Sequence, residues 1–430
     1  MKISVVGTGY VGLVSAAGFA EHGHDVTCID VVKEKVDLIN KKISPIYEEG
    51  LTEILEKRIG KNMHATLDGA KAIAESEITY ICVGTPSGKE GEIDLQYIQE
   101  VGKIIGEVLK GKKEYHVVVV KSTVVAGTTE EIVIPIIEQY SQKKAGRDFG
   151  VAMNPEFLRE GVAVEDFLKP DRIVVGGIDQ RSIDVIKECY KGFGAPILEV
   201  GLKTAEMIKY ASNCLLATKI SFINEIGNIC KHLGIDTYDV ARGVGLDHRI
   251  SPHFLRAGLG FGGSCFPKDV KALRNKAEEL GIEHDIMNSV LQVNAHQPKV
   301  FLGLAKDKLG SFRGKRVAVL GLAFKAGTDD TRESPALVVV EYLIKEGSKV
   351  IAYDPQAMDN TEKIFGNRIE YAKTAQDALK NADIALITTD WEEFSKLDYS
   401  EMGQKIVLDA RHIVDKGVLP DDVEYEGLCW

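Results

Sequence analysis

The segment Lys2-Ile3-Ser4-Val5-Val6-Gly7-Thr8-Gly9-Tyr10-Val11-Gly12 decides the first part of the fold. Its apolar residues predict a buried strand that runs directly into a turn of three spaced glycines. Small residues from Ala16 to Ala20 then predict a helix, and a second apolar strand closes at Asp30. A strand, a glycine turn, a helix and a strand that ends in a carboxylate are together typical of a dinucleotide-binding α/β fold.

Each part of this segment has a chemical use. Gly7, Gly9 and Gly12 let the backbone approach a pyrophosphate, whose charge the N-terminus of the following helix stabilises. Asp30 would accept hydrogen bonds from the adenine-ribose hydroxyls and would repel a 2′-phosphate, which favours NAD over NADP. A mononucleotide or flavin site on the same fold is the alternative.

The same order of elements returns near the C-terminus. Arg316–Leu320 and Lys349–Tyr353 are predicted strands on either side of a helix over Pro335–Lys345, and Ile384–Thr388 continues the pattern. Gly321-Leu-Ala-Phe-Lys325 replaces the glycine turn, which predicts a phosphate turn rebuilt for another ligand.

Between the two halves, residues from Lys203 to Leu233 show helical periodicity without a proline and predict one long helix. Further helices are expected from Pro267 to Leu280 and from Asp285 to Gln297. We therefore predict an α/β protein with two Rossmann-like, doubly wound sheets joined by a central helical domain. The expected domains are a NAD-binding domain at 1–200, a helical dimerisation domain at 201–298 and a nucleotide-sugar-binding domain at 299–430.

Composition excludes several classes of protein. The chain has 430 residues, of which 44% are hydrophobic and 27% charged, as in a globular protein of more than one domain. Its formal net charge of −11 argues against a general nucleic-acid binder. No apolar run approaches the roughly 20 residues of a membrane span. The seven cysteines include no Cys-x-x-Cys pair, so we expect reduced thiols in a cytoplasmic protein and no metal site.

The second informative segment is Phe261-Gly-Gly-Ser-Cys-Phe-Pro-Lys-Asp269. Pro267 is favourable in the first turn of a helix, which places Cys265 just before that helix. There the positive end of the helix dipole and the charge of Lys268 favour the thiolate form of cysteine. Asp269 would lie on the same side of the helix as the sulfur. The segment predicts a nucleophilic cysteine, and a capped helix with an inert, buried thiol is the alternative.

Three further groups of polar residues have the spacing of a site. Lys209 and Asn213 share a face of the long helix, where an amine and an amide would suit an oxyanion or a sugar hydroxyl. Glu156 and Glu160 follow a proline, and we expect them on a short helix as a base and a cofactor contact. Thr123 ends a predicted strand, where open α/β sheets bind ligands. The structural alternatives are a solvated lysine face, surface charge and a helix cap.

Taken together, these motifs resemble the UDP-glucose/GDP-mannose dehydrogenase family over nearly the whole chain, and most closely the members that oxidise UDP-glucose. The resemblance is carried by several unrelated motifs in one order, at Gly7–Gly12, Gly84–Pro86, Lys121–Thr123, Asn154–Gly161, Glu206–Asn213, Gly243–Ile250, Gly260–Asp269, Gly321–Lys325 and Asp330–Arg332. A series of this kind is far more specific than any one motif.

What the resemblance implies is a four-electron oxidation of the C6 alcohol of a nucleotide hexose to a carboxylate, with two NAD and one water. The intermediate aldehyde would be captured by cysteine as a thiohemiacetal, oxidised to a thioester and hydrolysed. Covalent capture keeps the reactive aldehyde from escaping. The family also implies a homodimer formed through the central helix.

The resemblance further implies roles for single residues. The catalytic residues would be Cys265, Lys209, Asn213, Asp269, Glu156 and Thr123. Of these, the cysteine would be the nucleophile, the glutamate the general acid/base of hydrolysis and the lysine, with the asparagine, the group that stabilises oxyanions. The threonine and the aspartate would position water and protons. Cofactor contacts would come from Gly7, Gly9, Tyr10, Val11, Gly12, Asp30, Lys35, Thr85, Thr123, Glu160, Lys268 and Arg332. Substrate contacts would come from Glu156, Phe157, Leu158, Arg159, Glu160, Lys209, Asn213, Arg249, Phe254, Leu255, Arg256, Ala257, Gly258, Gly262 and Lys325.

Two alternatives to this activity stay open at this point. A two-electron dehydrogenase would have the first sheet and a helical domain, but no use for a glycine-flanked cysteine or a second nucleotide sheet. Within the family, enzymes for GDP-mannose or a UDP-N-acetylhexosamine would share the cysteine and both sheets. The number of NADH formed per sugar separates the first alternative, and a panel of nucleotide sugars separates the second.

Overall fold

The computed structural model describes residues 1–88 and 91–430, which form two compact units, Met1–Ser212 and Asn213–Trp430. Two Rossmann-like sheets and a helical segment confirm the predicted fold class. Among the described residues, no helix combines the length and the apolar character needed to cross a bilayer.

The first unit is built on an eight-stranded sheet of the described residues, with the order β3-β2-β1-β4-β5-β6-β7-β8. Its strands are β1 (Lys2–Val6), β2 (Asp25–Ile29), β3 (Met63–Thr66), β4 (Ile78–Ile81), β5 (Val117–Val120), β6 (Gly150–Met153), β7 (Ile173–Gly177) and β8 (Ile197–Val200). The first six strands are parallel, whereas β7 runs antiparallel to β6 and is parallel to β8. This reversal at one edge is a feature that the sequence did not predict.

Helices cover both faces of this sheet. They are α1 (Tyr10–Glu21), α2 (Lys33–Asn40), α3 (Leu51–Arg58), α4 (Gly69–Glu75), α5 (Gln96–Gly111), a π-helical turn (Thr129–Val133), α6 (Ile134–Ser141), α7 (Ala163–Leu168), α8 (Gln180–Cys189) and the start of α9 (Leu202–Leu233). Alternate residues of β5 belong to different apolar clusters, Val117 and Val119 to one and Val118 and Val120 to the other. Since side chains alternate across a strand, each face of the sheet has its own core.

The second unit has a parallel sheet of six strands in its described residues, ordered β11-β10-β9-β12-β13-β14. Its strands are β9 (Arg316–Leu320), β10 (Lys349–Tyr353), β11 (Glu370–Tyr371), β12 (Ile384–Ile387), β13 (Ile406–Asp409) and β14 (Glu424–Gly427). Its helices are the rest of α9, α10 (Thr237–Gly245), α11 (Phe266–Glu279), α12 (Asp285–Leu309), α13 (Pro335–Lys345), α14 (Met358–Phe365) and α15 (Ala375–Leu379). Short 3₁₀ turns lie at Gly366–Arg368, Glu392–Lys396 and Lys416–Val418.

The long helix agrees with the sequence, but the end predicted for the last central helix is wrong. We expected that helix to stop at Gln297, before Pro298, because proline removes a backbone hydrogen bond and costs about 3 kcal/mol in a helix interior. Instead α12 continues through Pro298 to Leu309. Phe301 and Ala305, beyond the proline, are both fully buried, so packing of the helix outweighs the local cost.

Candidate active site

The turn between β1 and α1 has the shape of a dinucleotide cradle. Gly7 has a positive φ of 96°, and a Cβ at Gly12 would lie 1.8 Å from the carbonyl oxygen of Gly7. Both positions therefore exclude a side chain. A Cβ at Gly9 would meet no atom within 4 Å, and Gly9 caps α1 without a side-chain hydrogen bond. The open space at a helix N-terminus fits the pyrophosphate of NAD.

Asp30 follows β2, at the same edge of the sheet. Its Oδ2 accepts hydrogen bonds from the backbone N–H and the hydroxyl of Thr8, and its Oδ1 accepts one from the N–H of Val32. Burial raises the pKa of Asp30, but these hydrogen bonds and the charge of Lys35 outweigh burial, so its pKa lies below the usual value. Asp30 is therefore a fixed negative charge beside the turn, as a ribose acceptor requires.

Asp30→Ala is expected to narrow the preference for NAD over NADP by on the order of tenfold, about 1.4 kcal/mol, because the repulsion of the 2′-phosphate is lost. The measurement is kcat/KM for each cofactor. Asp30→Asn is the matched variant, since it removes the charge and keeps acceptor capacity for the turn. An unchanged ratio of the two kcat/KM values in both variants would contradict this role of Asp30.

Other predicted cofactor residues lie along the carboxyl edge of the same sheet. Thr85 follows β4 and donates its hydroxyl to the carbonyl oxygen of Thr123, which follows β5, at 2.9 Å. Lys35 lies in the first turn of α2, close enough to Asp30 to lower the pKa of its carboxyl group. Adjacent parallel strands thus bring these groups to one edge, where open α/β sheets bind ligands.

Glu156 and Lys209 form a buried ion pair in the first unit. The side chains are each 4% exposed, and Lys209 Nζ lies 2.8 Å from Glu156 Oε1. The short helix expected for Glu156 and Glu160 is wrong, because residues 154–160 have no helix and α7 begins only at Ala163. A long-range pair of this kind, formed between a loop and α9, leaves no local pattern in the sequence.

The ionisation of Glu156 is set by opposing effects. Burial raises the pKa of its carboxyl group, but the charge of Lys209, the N–H of Leu158 at 2.6 Å and the charge of Lys121 outweigh burial. The net pKa is therefore lowered, and Glu156 is a carboxylate at neutral pH. Glu156 is therefore in the deprotonated state that a general base requires.

The loop that carries Glu156 is held at several points. Phe157 lies 3.7 Å from the guanidinium of Arg172 and 5.6 Å from Lys209 Nζ, as ring-centroid distances. Arg159 forms a bidentate pair with Asp166, while Leu158 and Glu160 are half-buried. Further along, the buried carboxylate of Glu48 accepts the N–H groups of Gly161 and Ala163 at 2.8 and 2.6 Å. These contacts fix the backbone on which the predicted substrate residues 156–160 lie.

In the second unit, Cys265 belongs to a compact polar cluster. The half-buried Cys265 is the N-cap residue of α11, as predicted, and its Sγ lies 3.6 Å from Ser264 Oγ. Asp269, which is 1% exposed, accepts a hydrogen bond from Asn213 Nδ2 at 2.6 Å and pairs with Lys268 at 2.6 Å. A sulfur at the N-terminus of a helix, one turn before a carboxylate whose charge Lys268 offsets, has the surroundings of a reactive thiol.

The glycine segment before Cys265 packs against the turn of the second sheet. Gly263 has a φ of 82°, and a Cβ there would lie 2.9 Å from the ring of Phe324. The N–H of Gly263 donates to the carbonyl oxygen of Arg332 at 2.9 Å, and a Cβ at Gly262 would lie 2.4 Å from the carbonyl oxygen of Glu333. The rebuilt turn therefore supports the backbone that positions the cysteine.

The segment Phe254–Gly258, predicted to bind substrate, lies against the carboxyl edge of the second sheet. Phe254 has a positive φ of 65°, Leu255 and Ala257 are buried, and Arg256 pairs with Asp390 at 3.4 Å. A Cβ at Gly258 would lie 2.4 Å from the carbonyl oxygen of Ala410, just after β13. Arg249, by contrast, is an exposed residue that pairs with Asp247 at 2.6 Å.

The second sheet has an aspartate at the position equivalent to Asp30, but this aspartate binds backbone N–H groups of its own turn. Asp354 follows β10 and is 1% exposed. Its Oδ2 accepts the N–H groups of Leu322 and Ala323 and the indole N–H of Trp391. Its Oδ1 accepts two further N–H groups, those of Gln356 and Ala357. Asp354 therefore closes the rebuilt turn and has no free acceptor capacity for a ribose.

The rebuilt turn also carries the predicted cationic residues. Lys325 is half-buried, with its Nζ 5.9 Å from the centre of the Phe324 ring. Arg332 forms a bidentate pair with Asp330, in which its Nε and Nη2 lie 2.9 and 2.8 Å from the carboxylate oxygens. These are the donors that a diphosphate would require.

Lys325→Ala is expected to weaken binding of the nucleotide sugar by roughly 10- to 150-fold, since a charge-assisted hydrogen bond contributes about 1.5–3 kcal/mol. The affinity of the Lys325→Ala variant for NAD should stay unchanged. Both dissociation constants can be measured by calorimetry. Lys315→Ala is the control, because Lys315 lies at the amino end of β9 and pairs with Asp383. A loss of NAD affinity with intact sugar binding would contradict the assignment of Lys325.

Sequence reasoning assigned no role of their own to two cations at strand ends, the half-buried Arg411 and the buried Lys121. Arg411 follows β13, and its Nε donates to the carbonyl oxygen of Thr388 at 2.7 Å. Lys121 follows β5 and is 2% exposed. The only feature of the sequence that could have pointed to either residue is its position just after a predicted strand, because that position lies at the carboxyl edge of a parallel sheet. Within the described residues, no three His, Cys, Asp or Glu side chains come together as a metal site.

Comparisons with known proteins cover the whole chain. Residues 1–194 match the NAD binding domain of the UDP-glucose/GDP-mannose dehydrogenase family, residues 203–296 its central domain and residues 318–416 its UDP binding domain. A UDP-glucose 6-dehydrogenase of Haloferax volcanii is 44% identical over 435 residues, 100% of both chains. A GDP-mannose 6-dehydrogenase of Pseudomonas savastanoi is 40% identical over 447 residues, again 100% of both chains.

A solved structure is similar over the same length. The UDP-glucose dehydrogenase of the archaeon Pyrobaculum islandicum superposes with a TM-score of 0.94 at 42% identity, covering 100% of this chain and 97% of that one. The resemblance inferred from sequence motifs is thereby confirmed at the level of the family.

Proposed function

The chain belongs to the UDP-glucose/GDP-mannose dehydrogenase family as an NAD-dependent oxidoreductase of nucleotide sugars, and from this premise we propose that it oxidises UDP-glucose to UDP-glucuronate with two NAD and one water. The observation that carries the four-electron reaction is Cys265 at the N-terminus of α11, one turn before Asp269, which in turn binds Asn213 and Lys268. A simple two-electron dehydrogenase has no use for a nucleophile there.

In the proposed mechanism, NAD when bound supplies the hydride acceptor for both oxidations, first of the alcohol and then of the thiohemiacetal. The Cys265 thiolate adds to the aldehyde carbon and forms the carbon–sulfur bond of the thiohemiacetal. Lys209 and Asn213 stabilise the oxygen that becomes negatively charged. Glu156 takes a proton from the water molecule that attacks the thioester. The carbon–sulfur bond then breaks and returns the Cys265 thiolate. Thr123 and Asp269 position water and protons, and this water takes the hydroxyl proton when the alcohol loses its hydride.

We propose a corresponding division of the chain, with cofactor binding in residues 1–200, a helical dimerisation domain at 201–298 and nucleotide-sugar binding at 299–430. The family domains matched at 1–194, 203–296 and 318–416 support this division. The predicted contacts with cofactor and substrate belong to the same proposal.

UDP-glucose is proposed as the sugar nucleotide because the UDP binding domain matches and because relatives named UDP-glucose 6-dehydrogenase reach 44% identity. A GDP-mannose relative at 40% identity makes GDP-mannose the second candidate. The decisive experiment incubates the enzyme and NAD with UDP-glucose, GDP-mannose and UDP-N-acetylhexosamines separately, and counts NADH per sugar consumed. Two NADH per UDP-glucose support the proposal, one indicates a two-electron enzyme, and turnover of another sugar alone reassigns the substrate.

We also propose a homodimer formed through α9. Leu215, Phe222 and Ile229 recur at steps of seven residues and are 62, 54 and 53% exposed. An exposed apolar stripe at heptad spacing is typical of a helix that packs against a partner helix. Phe222→Glu should convert the dimer to a monomer in light scattering, whereas Lys219→Glu, one turn earlier, should leave the dimer intact. A wild-type protein with the mass of one chain would contradict the proposal.

A further inference from the structure

Lys121 is a buried lysine whose hydrogen-bond partners, among the described residues, are all neutral. Its Nζ lies 3.1 Å from Asn154 Oδ1, 3.4 Å from the carbonyl oxygen of Asn154 and 3.2 Å from the hydroxyl of Tyr190. Among the described residues, no carboxylate forms an ion pair with it. Burying an ammonium group without a carboxylate is costly, so a buried cation of this kind requires a reason beyond packing.

The groups around Lys121 fix the segment that leads to Glu156. The Tyr190 hydroxyl donates to Asn154 Oδ1 at 2.7 Å, and Asn154 Nδ2 donates to the carbonyl oxygen of Val174 at 2.8 Å. Asn154 is joined to Glu156 through the rigid Pro155. The contacts of the Lys121 ammonium group with Asn154 therefore help to fix the backbone of Glu156.

Lys121 and Glu156 also interact electrostatically. The charge of Lys121 lowers the pKa of Glu156. In turn, burial lowers the pKa of Lys121 to about 8, while Cys82 and Glu156 raise it and Lys209 lowers it. The groups that act on Lys121 from neighbouring elements are thus Cys82 after β4, Glu156 in its loop and Lys209 on α9.

The charges of Lys121, Lys209 and Glu156 do not add up to zero. Lys121 and Lys209 contribute two positive charges, and Glu156 contributes one negative charge. If Lys209 alone balanced Glu156, its ammonium would be fully engaged by the carboxylate and would stabilise a substrate oxygen poorly. A second ammonium group leaves one positive charge in excess, which is what an oxyanion requires.

We propose that Lys121 is a positioning residue, whose ammonium holds the Asn154–Glu156 segment and keeps Glu156 ionised while Lys209 stabilises the substrate oxyanion. The inference rests on the proposed function, because it assigns Glu156 and Lys209 to thioester hydrolysis. It adds to that function a residue that contacts neither the substrate nor the cofactor.

The test compares Lys121→Met, which keeps the length of the side chain and removes its charge, with Lys112→Met. Lys112 is the matched control, since its Nζ also donates to backbone carbonyls, those of Ile73 and Ala74, away from Glu156. In Lys121→Met the acidic limb of the kcat profile should move up by about one pH unit. The steady-state kcat should fall about tenfold at neutral pH while the KM for the sugar changes less than threefold, and Lys112→Met should show neither effect.

Asn154→Asp is a second variant in case Lys121→Met does not fold. It places a carboxylate against Lys121 and so neutralises the excess charge, and it should move the acidic limb in the same direction. An acidic limb at the wild-type pH in both variants, or an equal shift in Lys112→Met, would overturn the proposal.

A readout without turnover separates this proposal from the proposed function. The Glu156 carboxyl group can be titrated by carbon-13 NMR of glutamate-labelled protein, with its signal assigned by Glu156→Gln. The titration of Glu156 should move up by about one pH unit in Lys121→Met. A wild-type enzyme that fails to make two NADH per sugar would reject the proposed function and leave this titration as the independent test of Lys121.

Discussion

Cys265→Ser is expected to lower steady-state NADH formation from saturating nucleotide sugar by several orders of magnitude. Serine keeps the volume of the side chain, but its hydroxyl stays protonated where a thiol at a helix N-terminus can ionise. The first oxidation needs no covalent bond, so the variant can still make some aldehyde or a slow ester adduct. Folding and NAD affinity should change little, because the side chain of Cys265 provides no cap hydrogen bond to α11.

Cys214→Ser is the matched control for this experiment. Cys214 is likewise half-buried, and its Sγ lies 3.9 Å from the carbonyl oxygen of Asp269. It is therefore a second thiol close to the same helix turn. Burial raises the pKa of Cys214 to about 12, which makes it a poor nucleophile. Iodoacetamide should inactivate the wild type and Cys214→Ser alike, and saturating nucleotide sugar should protect both. A rate for Cys265→Ser within tenfold of the wild type would make Cys265 a structural thiol.

Lys209→Met is expected to destabilise the protein by about 3–5 kcal/mol at pH 8, because the buried Glu156 carboxylate loses its ion-pair partner. Without Lys209, burial should dominate and raise the pKa of Glu156 above its value in the unfolded chain. A carboxyl group whose pKa is raised by folding destabilises the folded state as the pH increases through that pKa. The loss of stability should therefore be larger at pH 8 than at pH 5, in urea unfolding.

The control for this loss is Lys203→Met, earlier on the same helix. Lys203 lies 2.7 Å from Glu131, but its side chain is 50% exposed. An exposed ion pair contributes about 0–1 kcal/mol, so this variant should lose little stability at either pH. Equal losses in the two lysine variants would contradict a buried pair at Glu156 and Lys209.

The sequence predicted the elements whose signals are local. Glycine spacing, apolar strands and a long periodic helix were enough for β1, α1 and α9, since each signal lies within the segment that folds. The continuation of α12 past Pro298 and the reversal of β7 were not predicted, because both depend on packing with segments distant in sequence. For the same reason, the loop around Glu156 was mistaken for a helix.

In the candidate site, too, features with a local sequence signal were predicted and features that depend on distant segments were not. The NAD cofactor, predicted from Gly7–Gly12 and Asp30, is confirmed by the matched NAD binding domain. Lys209 and Glu156 were each singled out from the sequence, but their pairing was not, since nothing in either segment refers to the other. Lys121 was noted only as part of a motif, because its importance lies in what surrounds it once β5 and β6 are adjacent.

The shared strand order of the two sheets bears on ancestry and on protein engineering. The order β3-β2-β1-β4-β5-β6 of the first unit recurs as β11-β10-β9-β12-β13-β14 in the second, with Asp30 and Asp354 after equivalent strands. Duplication of one ancestral module would leave this correspondence. Because five N–H groups now occupy Asp354, restoring the spaced glycines to the second turn would not recreate a dinucleotide receptor. A designer who wanted two cofactors on one chain would first have to release that aspartate.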